Sequence, residues 1–309
     1  MTDQSSHPGA QGGAVAPRGL LPEVDPPHGG GRRTARPAVP GDPDRTSSTE
    51  EVPVGRPDRR SGAEHATGTR YREVLQLDRL LDCQRGAEGH DQLMFVIVHQ
   101  VHELWFKLML FELEEVRDLL LADRLGAAEH LLRRLVTVEH VLIAQWAVLD
   151  TMLPTDFLAF RGTLEGGSGY QSVQHREVEF LAGLKDATYL DRVPLTDAER
   201  ARLARRLEEP SVREAFAAVV EKRGVASLAD LWQHGYRDVP AGQWELVRVA
   251  EALLDVDQAF GRWRTHHALT VERQIGYKPG TGGSAGVDYL RTRISSHLFP
   301  ELWEVRSRL

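Results

Sequence analysis

Residues 90–126 read HDQLMFVIVHQVHELWFKLMLFELEEVRDLLLADRLG. Apolar residues recur through this stretch at three- and four-residue steps, and no proline or internal glycine interrupts it before Gly126. The pattern predicts one helix roughly 50 Å long at 1.5 Å per residue. Asp91 is its expected N-terminal cap and Gly126 its expected stop. The middle is apolar on more than one face, as in a helix enclosed within a bundle.

On both sides the same period continues. YREVLQLDRLLDCQR, from Tyr71, spaces its leucines helically. A second long helix is expected over 127–152, ending before Pro154. A third is expected from Ser172 to about Leu184. Residues 186–240 read as shorter helices broken by Pro194, Pro210 and Pro240, forming a small outer helical subdomain. A last long helix is expected over 243–275 and a closing one over 287–298. No run alternates with a strand's period of two. The predicted fold class is therefore all-α, a bundle of long helices. Residues 1–69 differ from the rest: they hold ten of the sixteen prolines and no Phe, Trp or Tyr. So little apolar surface cannot offset chain entropy, so the prediction is a disordered tail ahead of a helical domain over 70–309.

Composition limits the function classes. A formal charge of −7 does not suit a phosphate-binding surface, so no nucleic-acid partner is expected. With one cysteine, Cys83, there is no internal disulfide and no cysteine zinc cluster, and a cytoplasmic setting is expected. MTDQSSHPGA lacks the features of a secretion signal, and no apolar run reads as a membrane span.

Thirteen histidines make any one of them uninformative alone. His99 lies among residues that favour burial, so it needs a hydrogen-bond partner or a ligand. Phe95, four residues earlier, shares its face. A satisfied core histidine explains the pattern equally well. His266 and His267 point about 100° apart on a helix, so one of them at most faces a given site. A single neutral imidazole suits heme iron. A zinc site needs three or four ligands, and neither HExxH nor CxxC occurs. GTGGSAG, residues 280–286, lacks the lysine of a nucleotide P-loop, but its glycines permit close backbone approach to a ligand, and Thr281 adds a hydroxyl. Arg161 follows the apolar DFLAF and suits a carboxylate clamp as well as a solvated ion pair.

Five separated segments, in order, resemble the tryptophan 2,3-dioxygenase family: HDQLMFVIVHQVHELWFK, AQWAVLDTMLPTDFLAFR, SGYQS, WRTHHALTVERQIGYKPGTGGSAG and LFPELWEVR. The resemblance covers residues 71–309. It implies heme b, ferrous in the active state, with His267 as its iron ligand and Trp146, Ser168 and Gly169 as contacts. It implies L-tryptophan or a derivative, together with O2, as substrates. Phe95, Val96, Ile97, Val98, His99, Phe157, Arg161 and Thr281 would bind the amino acid, and His99 and Ser168 would stand at the reacting centre. The family's reaction inserts both oxygen atoms, opens the indole C2–C3 bond and yields N-formylkynurenine. It also implies a homotetramer in which residues near Tyr71 reach a neighbouring active site. Three positions depart from the family's usual pattern. Phe157 stands where a tyrosine is typical, Val74 where another pocket tyrosine is common, and Ala285 where a serine is common. Val74 leaves room for extra bulk such as a methyl group and Phe157 removes a hydroxyl, and these changes suit an alternative reaction, insertion of one oxygen at indole C2 of tryptophan or a methylated tryptophan to give an oxindole.

Overall fold

The computed structural model describes residues 69–87, 89–164, 166–233, 242–281 and 285–308. The expected tail over 1–69 lies outside these residues except for Thr69, as does part of the glycine loop. The described residues form thirteen α-helices in chain order: α1 (Thr69–Leu75), α2 (Leu77–Leu80), α3 (His90–Leu121), α4 (Leu125–Leu149), α5 (Pro154–Arg161), α6 (Val173–Ala182), α7 (Tyr189–Arg192), α8 (Asp197–Glu208), α9 (Val212–Lys222), α10 (Asp230–Gln233), α11 (Trp244–Ile275), α12 (Val287–Ile294) and α13 (Pro300–Arg306). There is no strand among the described residues, so the all-α expectation holds.

The two 32-residue helices, α3 and α11, carry the architecture, each packing along α4. Their buried faces interlock Val98, Phe106, Met109, Leu113, Val116 and Leu120 of α3 with Leu132, Leu135 and Leu142 of α4 and Leu246, Val249, Leu253 and Phe260 of α11. Each fully buried leucine of this kind contributes about 1.5–3 kcal/mol relative to exposure. By length and composition α3 is apolar enough to cross a membrane. Here it packs against α4, α6 and α9, while Ile97, Leu104 and Phe111 remain exposed.

The ends of α3 differ from expectation. Its N-cap is Gly89, which has no capping side chain, while Asp91 sits in the first turn beside His90 Nδ1 at 2.9 Å. The break after α3 falls at residues 122–124, before Gly126, which lies inside α4. Asp123 takes the left-handed conformation at φ 60°, and Arg223 from the end of α9 donates to its carboxylate at 2.8 Å. A long-range ion pair thus does what a glycine was expected to do. α8 and α9 begin with reciprocal caps, Thr196 with Glu199 and Ser211 with Glu214, each worth about 1 kcal/mol. Pro154 and Pro300 open α5 and α13, where a missing N–H costs nothing.

Within the segment expected to form an outer subdomain, α8 packs on α6 around Phe180, Tyr189 and Leu203. α9 packs on α3, and its Val212, Ala215, Phe216 and Val219 join the main core. The expected closing helix over 287–298 ends at Ile294 as α12, and a further helix, α13, follows it. Between them Asp257 of α11, 2% exposed, accepts hydrogen bonds from Leu298 N and Phe299 N at 3.0 Å and from Trp303 Nε1 at 2.9 Å.

Asp257→Ala leaves these three donors, two of them fully buried, without an acceptor. We expect a loss of about 2–4 kcal/mol, read as a lower denaturant midpoint. A change within experimental error would show that the network is not holding α13 in place. Glu139 of α4 is fully buried and neither oxygen has a partner among the described residues. Burial raises its pKa to about 8, against a smaller opposing pull from Arg264. The folded chain therefore holds a proton that the unfolded chain releases near 4.5, and stability falls as pH rises between those values. Glu139→Gln should remove that slope. Its melting temperatures at about pH 5 and about pH 8.5 should lie closer together than those of the natural chain, and equal gaps would rule out this protonation.

Candidate active site

One cavity of about 240 Å³ lies among α3, α4, α5, α6, α11, α12 and the loops after α5 and α11. Helix geometry decides which side chains reach it. Along α3, Phe95, Val98, His99, His102 and Phe106 line the cavity at three- and four-residue steps. Val96 and Ile97 do not line it, and Ile97 is 41% exposed. Successive residues turn 100° apart, so of the run of five contiguous residues expected to meet substrate, Phe95, Val98 and His99 line this cavity.

One half of the cavity is an apolar slot. Phe95, Phe157 and Phe160 pack with ring centroids 5.4–5.7 Å apart, against Met152 and Ile275. His99 stands over Phe95 at 4.0 Å. Its Nδ1 lies 2.7 Å from Phe95 O. A carbonyl only accepts, so Nδ1 carries the proton and Nε2 presents a lone pair. Burial lowers the pKa of His99, against the Phe95 carbonyl and Glu103. The ring is therefore a neutral acceptor.

At the mouth of the slot three segments are tied together. Arg161, at the end of α5, donates to Pro279 O. Thr281 Oγ1 donates to Gly167 O at 2.7 Å. Ser168 caps the short turn Gly169–Gln171 reciprocally with Gln171. Gly286 closes the loop before α12 at φ 64°, and a Cβ there would stand 2.5 Å from Lys278 O, so only glycine fits. Arg161, Gly167, Ser168, Gly169, Gly280, Thr281 and Gly286 all line the cavity. Residues 282–284 lie outside the described residues. Ala285 is exposed, as are Tyr71 and Val74, at 68% and 72%.

The other half is built on tryptophans and imidazoles. His267 of α11 stacks on Trp146 of α4 at 4.8 Å and 12°, with Trp263 at 5.4 Å. His266 is exposed and does not line the cavity, so the adjacent pair separates as expected. Burial, with smaller contributions from His99 and His102, pushes His267 down to about 3, which keeps it neutral with a free lone pair. His102 and His175 line the same half, pushed down by burial to about 4 and about 3. Neither histidine stood out in the sequence, although His102 follows His99 by three residues, a spacing that places both on one face.

The far wall is cationic. Arg176, Arg264 and Arg293 converge on Glu179. Burial pushes that carboxyl up, but Arg176, His175, Arg264 and Arg293 hold it at about 2. Three guanidiniums share one carboxylate, so this wall carries surplus positive charge beside the cavity. No spacing rule marked these arginines, because charged residues along a helix ordinarily read as a solvated face.

The arrangement suits a flat aromatic group with an anionic edge against the arginines and a neutral imidazole facing it. Among the described residues no group of three or more His, Cys, Asp or Glu is arranged to hold a metal ion.

Comparison with known proteins agrees with this geometry. The family model for tryptophan 2,3-dioxygenase matches residues 58–233 and 226–309. A tryptophan 2,3-dioxygenase of Nocardioides sp. is 42% identical over 254 residues, covering 77% of this chain and 94% of the relative. One from Pseudomonas aeruginosa is 39% identical over 262 residues, covering 77% and 89%. One from Myxococcus xanthus is 37% identical over 262 residues, covering 78% and 90%. With matching segments along 58–309 and a cavity built from those segments, the chain belongs to the tryptophan 2,3-dioxygenase family.

Proposed function

We propose that this chain is a heme-dependent tryptophan 2,3-dioxygenase, converting L-tryptophan and O2 to N-formylkynurenine. The observation that carries the reading is the division of one cavity into an apolar slot with polar groups at its mouth and an imidazole-bearing half with a cationic wall. Family membership supports the reaction class.

The residues fit heme. His267 is a neutral imidazole of the kind that serves as an axial ligand. The tryptophans beside it bear buried Nε1 atoms without partners among the described residues, so the pocket interior is not closed by its own hydrogen bonds. Arg176, Arg264 and Arg293 would meet the two carboxylates of the group. When bound, heme supplies the activation of O2 for attack on the indole C2–C3 bond.

The protein's share is binding and orientation. Phe95 and Phe157 enclose the indole and exclude water, with Phe160 packed behind them. His99 Nε2 accepts the indole N–H and fixes which edge of the ring faces the reacting centre. Arg161 has N–H groups beyond the one on Pro279 O and clamps the substrate carboxylate. Thr281 spends its proton on Gly167 O, so its oxygen is left to accept from the substrate ammonium. Phe157 offers no hydroxyl at the slot, and this favours a second reading, single oxygen insertion at indole C2 with a looser hold on the substrate's polar end.

Assembly belongs to the same proposal. Ile97, Leu104 and Phe111 repeat every seven residues along α3 and are 41%, 53% and 69% exposed. A stripe of that spacing is a helix-packing seam, and it supports a homotetramer with residues near Tyr71 reaching a neighbouring site. A cytoplasmic setting completes the reading.

His267→Ala should reduce bound heme to background while helicity is retained, and normal heme content would reject it as the ligand. Arg161→Ala should lower kcat/KM for L-tryptophan by about 10- to 100-fold, the loss of one charge-assisted pair, with a much smaller effect on a carboxylate-free indole. Equal losses on both would argue against the clamp. Phe111→Lys should shift the mass measured by light scattering below that of the natural assembly, and an unchanged mass would remove the stripe from the interface.

A further inference from the structure

α11 lines the cavity beyond its histidine. Thr270, Val271, Gln274 and Ile275 follow His267 on one face of the helix and reach the same space. Val271 and Ile275 pack with Met152, Phe157 and Phe160 of the apolar slot. Gln274 lies between those two positions, two turns beyond His267, or about 10 Å along the axis. An amide therefore stands in a wall whose other members there are alkyl chains and rings.

The orientation of that amide is set by its neighbours. Nε2 donates to Met152 O at 3.0 Å and to Leu149 O at 3.4 Å, carbonyls at and just beyond the end of α4. A carbonyl only accepts, so the amino group is the end that faces them and Oε1 is the other end. Gln274 is 6% exposed, and Oε1 has no hydrogen-bond partner among the described residues. An enclosed acceptor in this state is destabilising, and a methionine would fill the place without that cost. The donor that completes it comes with the ligand. In the reading above the indole N–H goes to His99 Nε2 and the ammonium to Thr281, while heme presents carboxylates to the arginine wall. What is left is a donor carried on the benzo ring of the indole, the part that the slot encloses.

We propose that Gln274 Oε1 is a specificity subsite for a hydrogen-bond donor on the benzo ring, so that the slot holds tryptophans bearing a ring hydroxyl or amino group more tightly than tryptophan itself. The inference rests on the reading of this cavity as an indole oxygenase site and deepens it by naming the substrate class. Tryptophan enters the same slot and leaves the glutamine oxygen unpaired. A hydroxyl at the matching ring position donates to it, while the two carbonyls at the end of α4 keep the amide from turning away.

The test uses the full chain loaded with hemin, and binding is read from the heme absorption without turnover. The ligands are tryptophan and the hydroxy- and fluorotryptophans substituted at each benzo-ring position. Fluorine occupies the position without supplying a donor. One hydroxy isomer should bind about 3- to 10-fold more tightly than both tryptophan and its fluoro counterpart, the net worth of one neutral hydrogen bond. Gln274→Met keeps the length of the side chain and removes the acceptor, and it should abolish that difference. The comparison is made within each protein, so a general loss of affinity from unpairing the two carbonyls cancels. If Gln274→Met loses its helical circular dichroism, the hydroxy–fluoro comparison on the natural chain decides alone. No hydroxy isomer preferred over its fluoro counterpart, or a preference that persists in Gln274→Met, would overturn the proposal while tryptophan binding beside the heme stands. A natural chain that binds hemin or tryptophan only at background level would overturn the cavity reading and this subsite with it.

Discussion

An imidazole enclosed where its charged form cannot be solvated is the constraint on which this site depends. His267, His102, His99 and His175 all line one cavity, and burial is the leading cause of every downward pKa shift among them. Each ring is neutral at ordinary pH, so each offers a lone pair rather than a charge. Maintaining that state requires a dry, rigid enclosure. Three long helices supply the rigidity, and the tryptophan and phenylalanine rings supply the dryness. The arginine wall at the far end needs the same enclosure, since its surplus charge is effective only where water does not screen it.

The two halves of the cavity meet the two halves of the chemistry. Rings without polar atoms suit an indole, and Arg161 and Thr281 stand at the mouth of that slot, where the charged end of an amino acid would lie. The matching segments are scattered along the chain, and the fold brings them to one place: α3 supplies the slot wall, α4 and α11 the tryptophan and histidine pair, and the loops after α5 and α11 the polar mouth.

The helices were legible because their signals are local. The period of 3.6 in α3, α4 and α11 needs no tertiary information. Less legible was whatever depends on contacts distant in sequence. Asp123 breaks α3 from α4 because Arg223, 100 residues away, holds it there, so Gly126 was a reasonable but mistaken stop. Asp257 holds the break between α12 and α13 through donors about 41 residues away. In the site, Phe95, His99, Arg161 and His267 carried their own signals through apolar surroundings or the family resemblance. Val96 and Ile97 were named with their neighbours, yet helix rotation turns them away. His102, His175 and the arginine wall gave no sign, because a histidine or arginine on a helix becomes informative only once its neighbours in space are known.

The central claim is that this cavity inserts both atoms of O2 into the indole of L-tryptophan. It is tested most directly by the mass of the product formed by reduced, heme-loaded protein under oxygen labelled in both atoms. The account predicts a product heavier than tryptophan by two labelled oxygens, with the absorbance of N-formylkynurenine. A product carrying a single labelled oxygen, with the indole ring closed as an oxindole, would contradict it.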